Sequence, residues 1–168
     1  ERYAPHIIEN GGQLPSHLNL ETQREVRDLV QRAAVSMDIR NGVVKGDIVV
    51  TDGQPCVIEL AARLSGGYFC THEIPLNTGV DLVAAAIRQA LGERVDPEEL
   101  IPRRNRPVAQ RYFFPPPGIV KAVEAADQFA DHPNVAYLEI RAKVGDQIGP
   151  VDSHPARAGV VIATGETV

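Results

Sequence analysis

Nowhere do these 168 residues hold an apolar run approaching the roughly 20 that a membrane-spanning helix needs, and no signal-peptide pattern opens the chain. Cysteine is scarce. Cys56 and Cys70 alone are too few for a disulfide framework, and they fit a reducing, cytoplasmic compartment. Cys56 falls in a strand pattern and reads as a small core residue, while nothing in sequence nominates a base that would activate Cys70. Basic stripes are missing too. Lys and Arg number 17 against 22 Asp and Glu, a net charge of −5, which argues against sequence-independent binding of nucleic acid. The short Arg103-Arg104-Asn105-Arg106 cluster reads as solvated linker. Histidines and cysteines at metal-ligand spacing are absent, which argues against zinc. What is present is ordinary for a soluble globular chain: 43% hydrophobic and 23% charged residues, enough for one domain, or one and a small second.

Taken in order, His6-Ile7-Ile8-Glu9 reads as a short strand ended by the Asn10-Gly11-Gly12 turn. Leu14 to Leu18 is extended around Pro15. Val26, Leu29, Val30, Ala33, Ala34 and Met37 then recur at helical spacing on one face. Thr22 with Glu25 makes a capping-box pattern near the start of that helix, and Asn41-Gly42 stops it. Thr71 to Pro75 is irregular. A second helix runs from about Val80 to Leu91, with Leu82, Ala85, Ala86, Gln89 and Ala90 on one side, Asp81 in its first turn and Gly92 at its end.

Between the helices, Val43 to Val50 and Val57 to Ala61 read as two strands joined through Thr51-Asp52-Gly53-Gln54, a β-hairpin. Its register decides where two carboxylates point. A three-residue loop, Asp52 to Gln54, pairs Thr51 with Pro55 and sets Asp47 opposite Glu59 on one face. A two-residue Asp52-Gly53 turn pairs Asp47 with Ile58 and sends the acids to opposite faces. The Asp-Gly dipeptide favours the second arrangement. The first, or an equivalent bulge, is the expectation, because carboxylates withdrawn from water are costly unless they share a cation. Such a pair of acids suits a hard ion, magnesium or manganese. Lys45 shares the strand face of Asp47, where it touches phosphate or offsets the local negative charge.

Residues Glu93 to Pro107, proline-rich and charged, read as a linker. Beyond them Val108 to Phe114, Val135 to Ala142 and Gly159 to Ala163 have strand patterns, with a short helix over about Val120 to Ala130. His154 and Arg157 read as surface or fold-stabilising groups. The expected division is 1–92, a linker over 93–107, and a small β-rich unit over 108–168.

The string Glu59-Leu60-Ala61-Ala62-Arg63-Leu64-Ser65-Gly66-Gly67, with Asp47 a dozen positions earlier, resembles the carboxyl-terminal signature of ATP-grasp ligases. The resemblance spans roughly Asn41 to Gly92 specifically and the rest loosely. Within the superfamily it looks most like the branch with L-amino acid ligases and carbamoyl-phosphate-synthase-like proteins. It implies an α+β fold, the carboxyl-terminal half of an ATP-grasp domain (antiparallel sheet with flanking helices) followed by a small β-rich unit. It implies that Asp47 and Glu59 ligate magnesium, that Glu59 and Arg63 meet the nucleotide, and that Arg63 serves catalysis at the phosphoryl oxygens. Ser65, Gly66 and Gly67 would offer backbone amides to substrate, and His72 would line the acceptor pocket beside Glu73. One departure stands out: Ala61 occupies the position of a metal-ligating asparagine in many members.

The implied cofactors are ATP and magnesium or manganese, and the implied substrates are a small carboxylate and an amine joined through an acyl phosphate. No glycine-rich phosphate loop and no paired lysines for the nucleotide appear in the chain, which begins without methionine. It is therefore expected to be the carboxyl-terminal part of a longer ligase, whose amino-terminal part is its missing partner, and to be inactive alone. Homo-oligomerisation is left open. A non-catalytic binding domain that kept the grasp scaffold is the alternative.

Overall fold

The structure is a computed structural model that describes residues 5–124 and 126–167. Contacts divide the chain into two compact units, one of residues 16–104 and one combining residues 1–15 with 105–168. These boundaries differ from the expected 1–92, 93–107 and 108–168.

In the central unit, helix α1 (Leu20–Ser36) packs its face of Val26, Leu29, Val30, Ala33 and Ala34, all half-buried, toward the hairpin. Its start is capped by Asn19, whose extended backbone lets the side-chain carbonyl accept the Thr22 N–H at 2.9 Å. Thr22 is thus a receiver of the cap, not the cap. The helix ends earlier than expected. Asp38, at φ 56°, turns the chain, and Met37 lies past the last turn, exposed.

Strands β2 (Lys45–Thr51) and β3 (Gln54–Ala61) form the antiparallel hairpin. Asp52 and Gly53 both have positive φ, 52° and 77°, and Thr51 pairs with Gln54. The connection is therefore the two-residue primed turn that an Asp-Gly dipeptide favours, and the expected three-residue loop is not formed. Past the turn, Ile48 pairs with Val57 and Asp47 with Glu59, so Ile58 is an extra residue on β3: a β-bulge. Ile48, Val50, Val57 and Leu60 keep to the inner face, half-buried, and Gly46 lies there within reach of Val30 on α1. Cys56, paired with the exposed Val49, is itself exposed and is not a core residue.

After β3 the chain passes through Ser65-Gly66-Gly67 into a π-turn (Phe69–Glu73), where an irregular segment was expected, then α2 (Ile74–Thr78) and α3 (Leu82–Ala90). Asp81 is the cap of α3, accepting the Ala84 N–H at 2.9 Å. Residues 93–104 do not hang free. The Arg103 N–H donates to the Thr78 carbonyl at 2.9 Å, and Arg104 donates to the Pro75 carbonyl at 2.7 Å. A single 3₁₀ turn (Pro97–Leu100) carries a capping box built from Asp96 and Glu99.

The other unit centres on a four-stranded antiparallel sheet ordered β1 (Gly11–Leu14), β4 (Val108–Phe113), β8 (Gly159–Thr164), β6 (Val135–Ile140). The amino-terminal strand is Gly11–Leu14, one turn signal later than the expected His6–Glu9. The small strands β5 (Gly118–Ile119) and β7 (Gln147–Ile148) pair with each other. Val108, Tyr112, Val160 and Ile162 are the buried apolar core, alternating along β4 and β8 as a half-buried sheet requires. Glycine is obligatory at Gly159, where an added Cβ would lie 2.4 Å from the Glu139 carbonyl oxygen. Helix α4 (Ala126–Ala130) is shorter than the expected Val120–Ala130: residues 120–124 are not helical, and residue 125 lies outside the described residues. Arg157 stacks over the Tyr112 ring and donates to the Glu9 carbonyl and carboxylate at 3.2 Å, so its role is to tie the amino-terminal segment to this sheet.

Candidate functional site

Asp47 and Glu59 face one another across the hairpin because the bulge at Ile58 restores what the tight turn would have undone. In an uninterrupted ladder from Thr51–Gln54, Asp47 would meet Ile58, and Glu59 would turn inward. The bulge places Ile58 and Glu59 both outward, exposed side by side. Lys45, two positions before Asp47 and on the same face, completes a triad of charges. Its ammonium donates to Asp47 Oδ2 at 2.5 Å and stands 3.5 Å from Glu59 Oε1. The Lys45 side chain is 19% exposed against 49% and 56% for the two acids. The hydrogen bond to Asp47, joined by attraction to both carboxylates and opposed by burial, holds the Lys45 ammonium above its ordinary pKa.

Ala61 lies directly opposite Lys45, on the same face as the acids. It has no donor to give a metal. Among the described residues, no group of three or more His, Cys, Asp or Glu side chains could hold a metal ion. The donor set fits a hard cation that takes two carboxylates and completes its shell with water and ligand oxygens, and it does not fit an all-protein cage.

Past the strand, Arg63 is exposed and its guanidinium donates to the neighbouring Leu64 carbonyl at 3.0 Å. Arg63, Ala62 and Leu64 edge a groove of about 370 Å³ with Val43, Ala86 and Gln89. A larger groove in the same unit, about 660 Å³, includes neither Asp47 nor Glu59 and has no evident chemistry. The Ser65 N–H donates to the Cys70 sulfur at 3.2 Å, so of the three amides expected to meet an anion this one is engaged within its own loop. Gly66 is exposed, and Gly67 and Tyr68 are both left-handed, at φ 62° and 71°. A left-handed tyrosine is strained, and it sets the π-turn by letting its carbonyl accept both the His72 and Glu73 amides. His72 therefore sits beneath the Tyr68 ring, edge to face at 5.4 Å, with Nδ1 2.8 Å from Thr71 Oγ1. Glu73 is 2% exposed and belongs to the core of this unit, on the other side of the turn from solvent. Sequence reasoning left Lys45 undecided and did not single out Tyr68; period-2 spacing from Asp47 was the signal for the first, and the Gly-Gly-Tyr order offered little for the second.

The fold is that of the carboxyl-terminal part of an ATP-grasp ligase. The chain superposes on phosphoribosylglycinamide synthetase from Anaerococcus prevotii with a TM-score of 0.80 at 17% identity, over 96% of this chain and 41% of that one. An L-amino acid ligase from Bacillus licheniformis gives 0.79 at 21% identity, over 94% of this chain and 39% of that one. Pyruvate carboxylase from Rhizobium etli gives 0.65 at 18%, over 95% of this chain and 16% of that one. Within that fold, residues 111–168 match the family described as L-amino acid ligase C-terminal domain 2. No curated protein matches the chain. The chain thus spans about two fifths of the length of the first two similar structures. Among the described residues, no helix is long and apolar enough to cross a membrane.

Proposed function

We propose that this chain is the carboxyl-terminal part of a cytoplasmic ATP- and magnesium-dependent ligase that joins a small carboxylate to an amine through an acyl phosphate. One observation carries the reading: on an ATP-grasp fold, a bulge brings Asp47 opposite Glu59 on the open face of the hairpin. Asp47 and Glu59 hold magnesium, or manganese, through their outward carboxylates. Such an ion, bound there with ATP, would supply positive charge against what develops as a phosphoryl group moves. Arg63, free of any carboxylate partner at 4.0 Å or less among the described residues, offers its guanidinium to those phosphoryl oxygens. The backbone around Gly66 and Gly67 admits close approach of the substrate carboxylate, and His72 with Tyr68 lines the acceptor side. All of these residues lie in the unit of residues 16–104. The nucleotide's glycine loop and lysines come from an amino-terminal part of the same polypeptide, so residues 1–168 alone turn over no ATP.

In the full-length enzyme, Glu59→Gln is expected to remove most amino-acid-dependent ADP release while leaving the circular dichroism spectrum unchanged. Near-normal turnover would sink the assignment. A second reading, a non-catalytic binding domain on the same scaffold, is favoured by Ala61 and by the absence of a third metal donor among the described residues. Titration of the complete protein with magnesium and then with nucleotide separates the two, since a non-catalytic scaffold without metal affinity shows no metal-dependent nucleotide binding.

A further inference from the structure

The cross-strand pairing puts four positions in two rows on the open face of the hairpin: Asp47 opposite Glu59, and next to them Lys45 opposite Ala61. Where a second ion would look for a donor at position 61 there is a methyl group. Directly across from that methyl group begins a side chain that ends in a positive charge. The ammonium does not extend into water. It is the least exposed of the three charged groups, it donates to one oxygen of Asp47, and it stands 3.5 Å from one oxygen of Glu59.

Resting on the ligase reading above, we propose that Lys45 is a built-in cation of this site. Its ammonium takes by charge the place of a second divalent ion, so that Asp47 and Glu59 bind one divalent ion with nucleotide and not two. Charge arithmetic supports this. Two carboxylates and one ammonium leave a net −1, which one divalent ion overcompensates enough to attract phosphate. A second divalent ion would meet an ammonium already hydrogen-bonded to the oxygen it needs, and would find no neutral donor at Ala61. An ammonium also differs from a metal in that it cannot leave. The site keeps one of its two positive charges whether or not nucleotide is bound.

The test is counting manganese by electron paramagnetic resonance on the full-length protein, with Mn²⁺ alone and with Mn²⁺ plus a non-hydrolysable ATP analogue. The wild type and Lys45→Arg, which keeps the charge, are expected to take one Mn²⁺ with the analogue. Lys45→Met is expected to bind Mn²⁺ alone at least about tenfold more tightly, since a repelling charge within a few ångströms is gone. The double variant Lys45→Met/Ala61→Asn is expected to take a second ion with the analogue. Lys45→Gln serves in place of Lys45→Met if the latter disturbs the far-ultraviolet circular dichroism. Two ions in the wild type, or unchanged Mn²⁺ affinity on loss of the ammonium, overturn this proposal and leave the ligase reading standing. No Mn²⁺ at all in the wild type overturns both.

Discussion

Ile58 is an exposed apolar residue in a strand whose inner face it does not join, and Glu59 owes its outward direction to it. Deleting Ile58 would close the bulge. Counting from the Thr51–Gln54 pair, the shortened β3 would then bring Glu59 opposite Asp47 in a regular ladder, with Val57 and Leu60 still inward. A one-residue deletion inside a strand normally turns every later side chain to the wrong face. Here the expectation is a folded protein whose stability lies within about 1 kcal/mol of wild type by urea unfolding. Unfolding, or a loss well above that, would show that the bulge is needed for packing. The same residues mark how far the sequence could be read. The facing acids were legible from alternation and from the cost of burying unpaired charge. The bulge was expected only as the alternative to a longer loop, and its place at Ile58 was not legible, because an isoleucine between Val57 and Glu59 looks like one more inward strand residue. Cys56 was misread for the same reason. A three-residue loop would have set it opposite the inward Val50, whereas the tight turn sets it opposite the exposed Val49.

The elements with a strong local period, α1, α3 and the hairpin, lay close to where their patterns placed them. The stretch from Glu93 to Arg104 did not read correctly, because a proline-rich charged segment looks solvated unless its charges have partners elsewhere. They do. Arg88 on α3 donates to Glu93 at 2.9 Å and to Glu99 at 2.6 Å. The Arg88 hydrogen bond, reinforced by the Asp96 backbone N–H, lowers the Glu99 pKa, and Glu99 and then Glu93 raise that of Arg88. For a carboxylate with a lowered folded pKa, the stabilisation is present above the unfolded value, about 4.3 for glutamate, and is lost as pH falls through the folded value. Both side chains are about two fifths exposed, so solvent screening keeps the effect small. The melting temperature of Glu99→Gln is expected to fall slightly below wild type near neutral pH, and the difference to vanish in acid. A difference that persists at acid pH would locate the effect in packing and not in charge.

The carboxyl-terminal sheet was legible as three of its strands and illegible as a sheet. Strand β1 pairs Gly11 with Arg111 and Leu14 with Val108, and no window of sequence holds both partners. Short-range patterns carry no information about such a closure. The interrupted order, one unit assembled from both ends of the described chain around another from its middle, follows from that pairing. Removal of residues 1–15 is expected to strip hydrogen-exchange protection from β4 and the edge it exposes, while α1, β2 and β3 keep theirs. Equal loss in both units would mean that they do not fold separately.

Strands β1 and β4 pair although all of residues 16–104 lie between them in sequence. During synthesis β1 therefore leaves the ribosome well before β4, and until then its four residues lack the partner they have in the sheet. The hairpin and its helices, which lie between the two strands in sequence, can be complete by then. The inner segment is thus finished before the strand that precedes it has found its place, and β1 spends that interval as an unpaired edge.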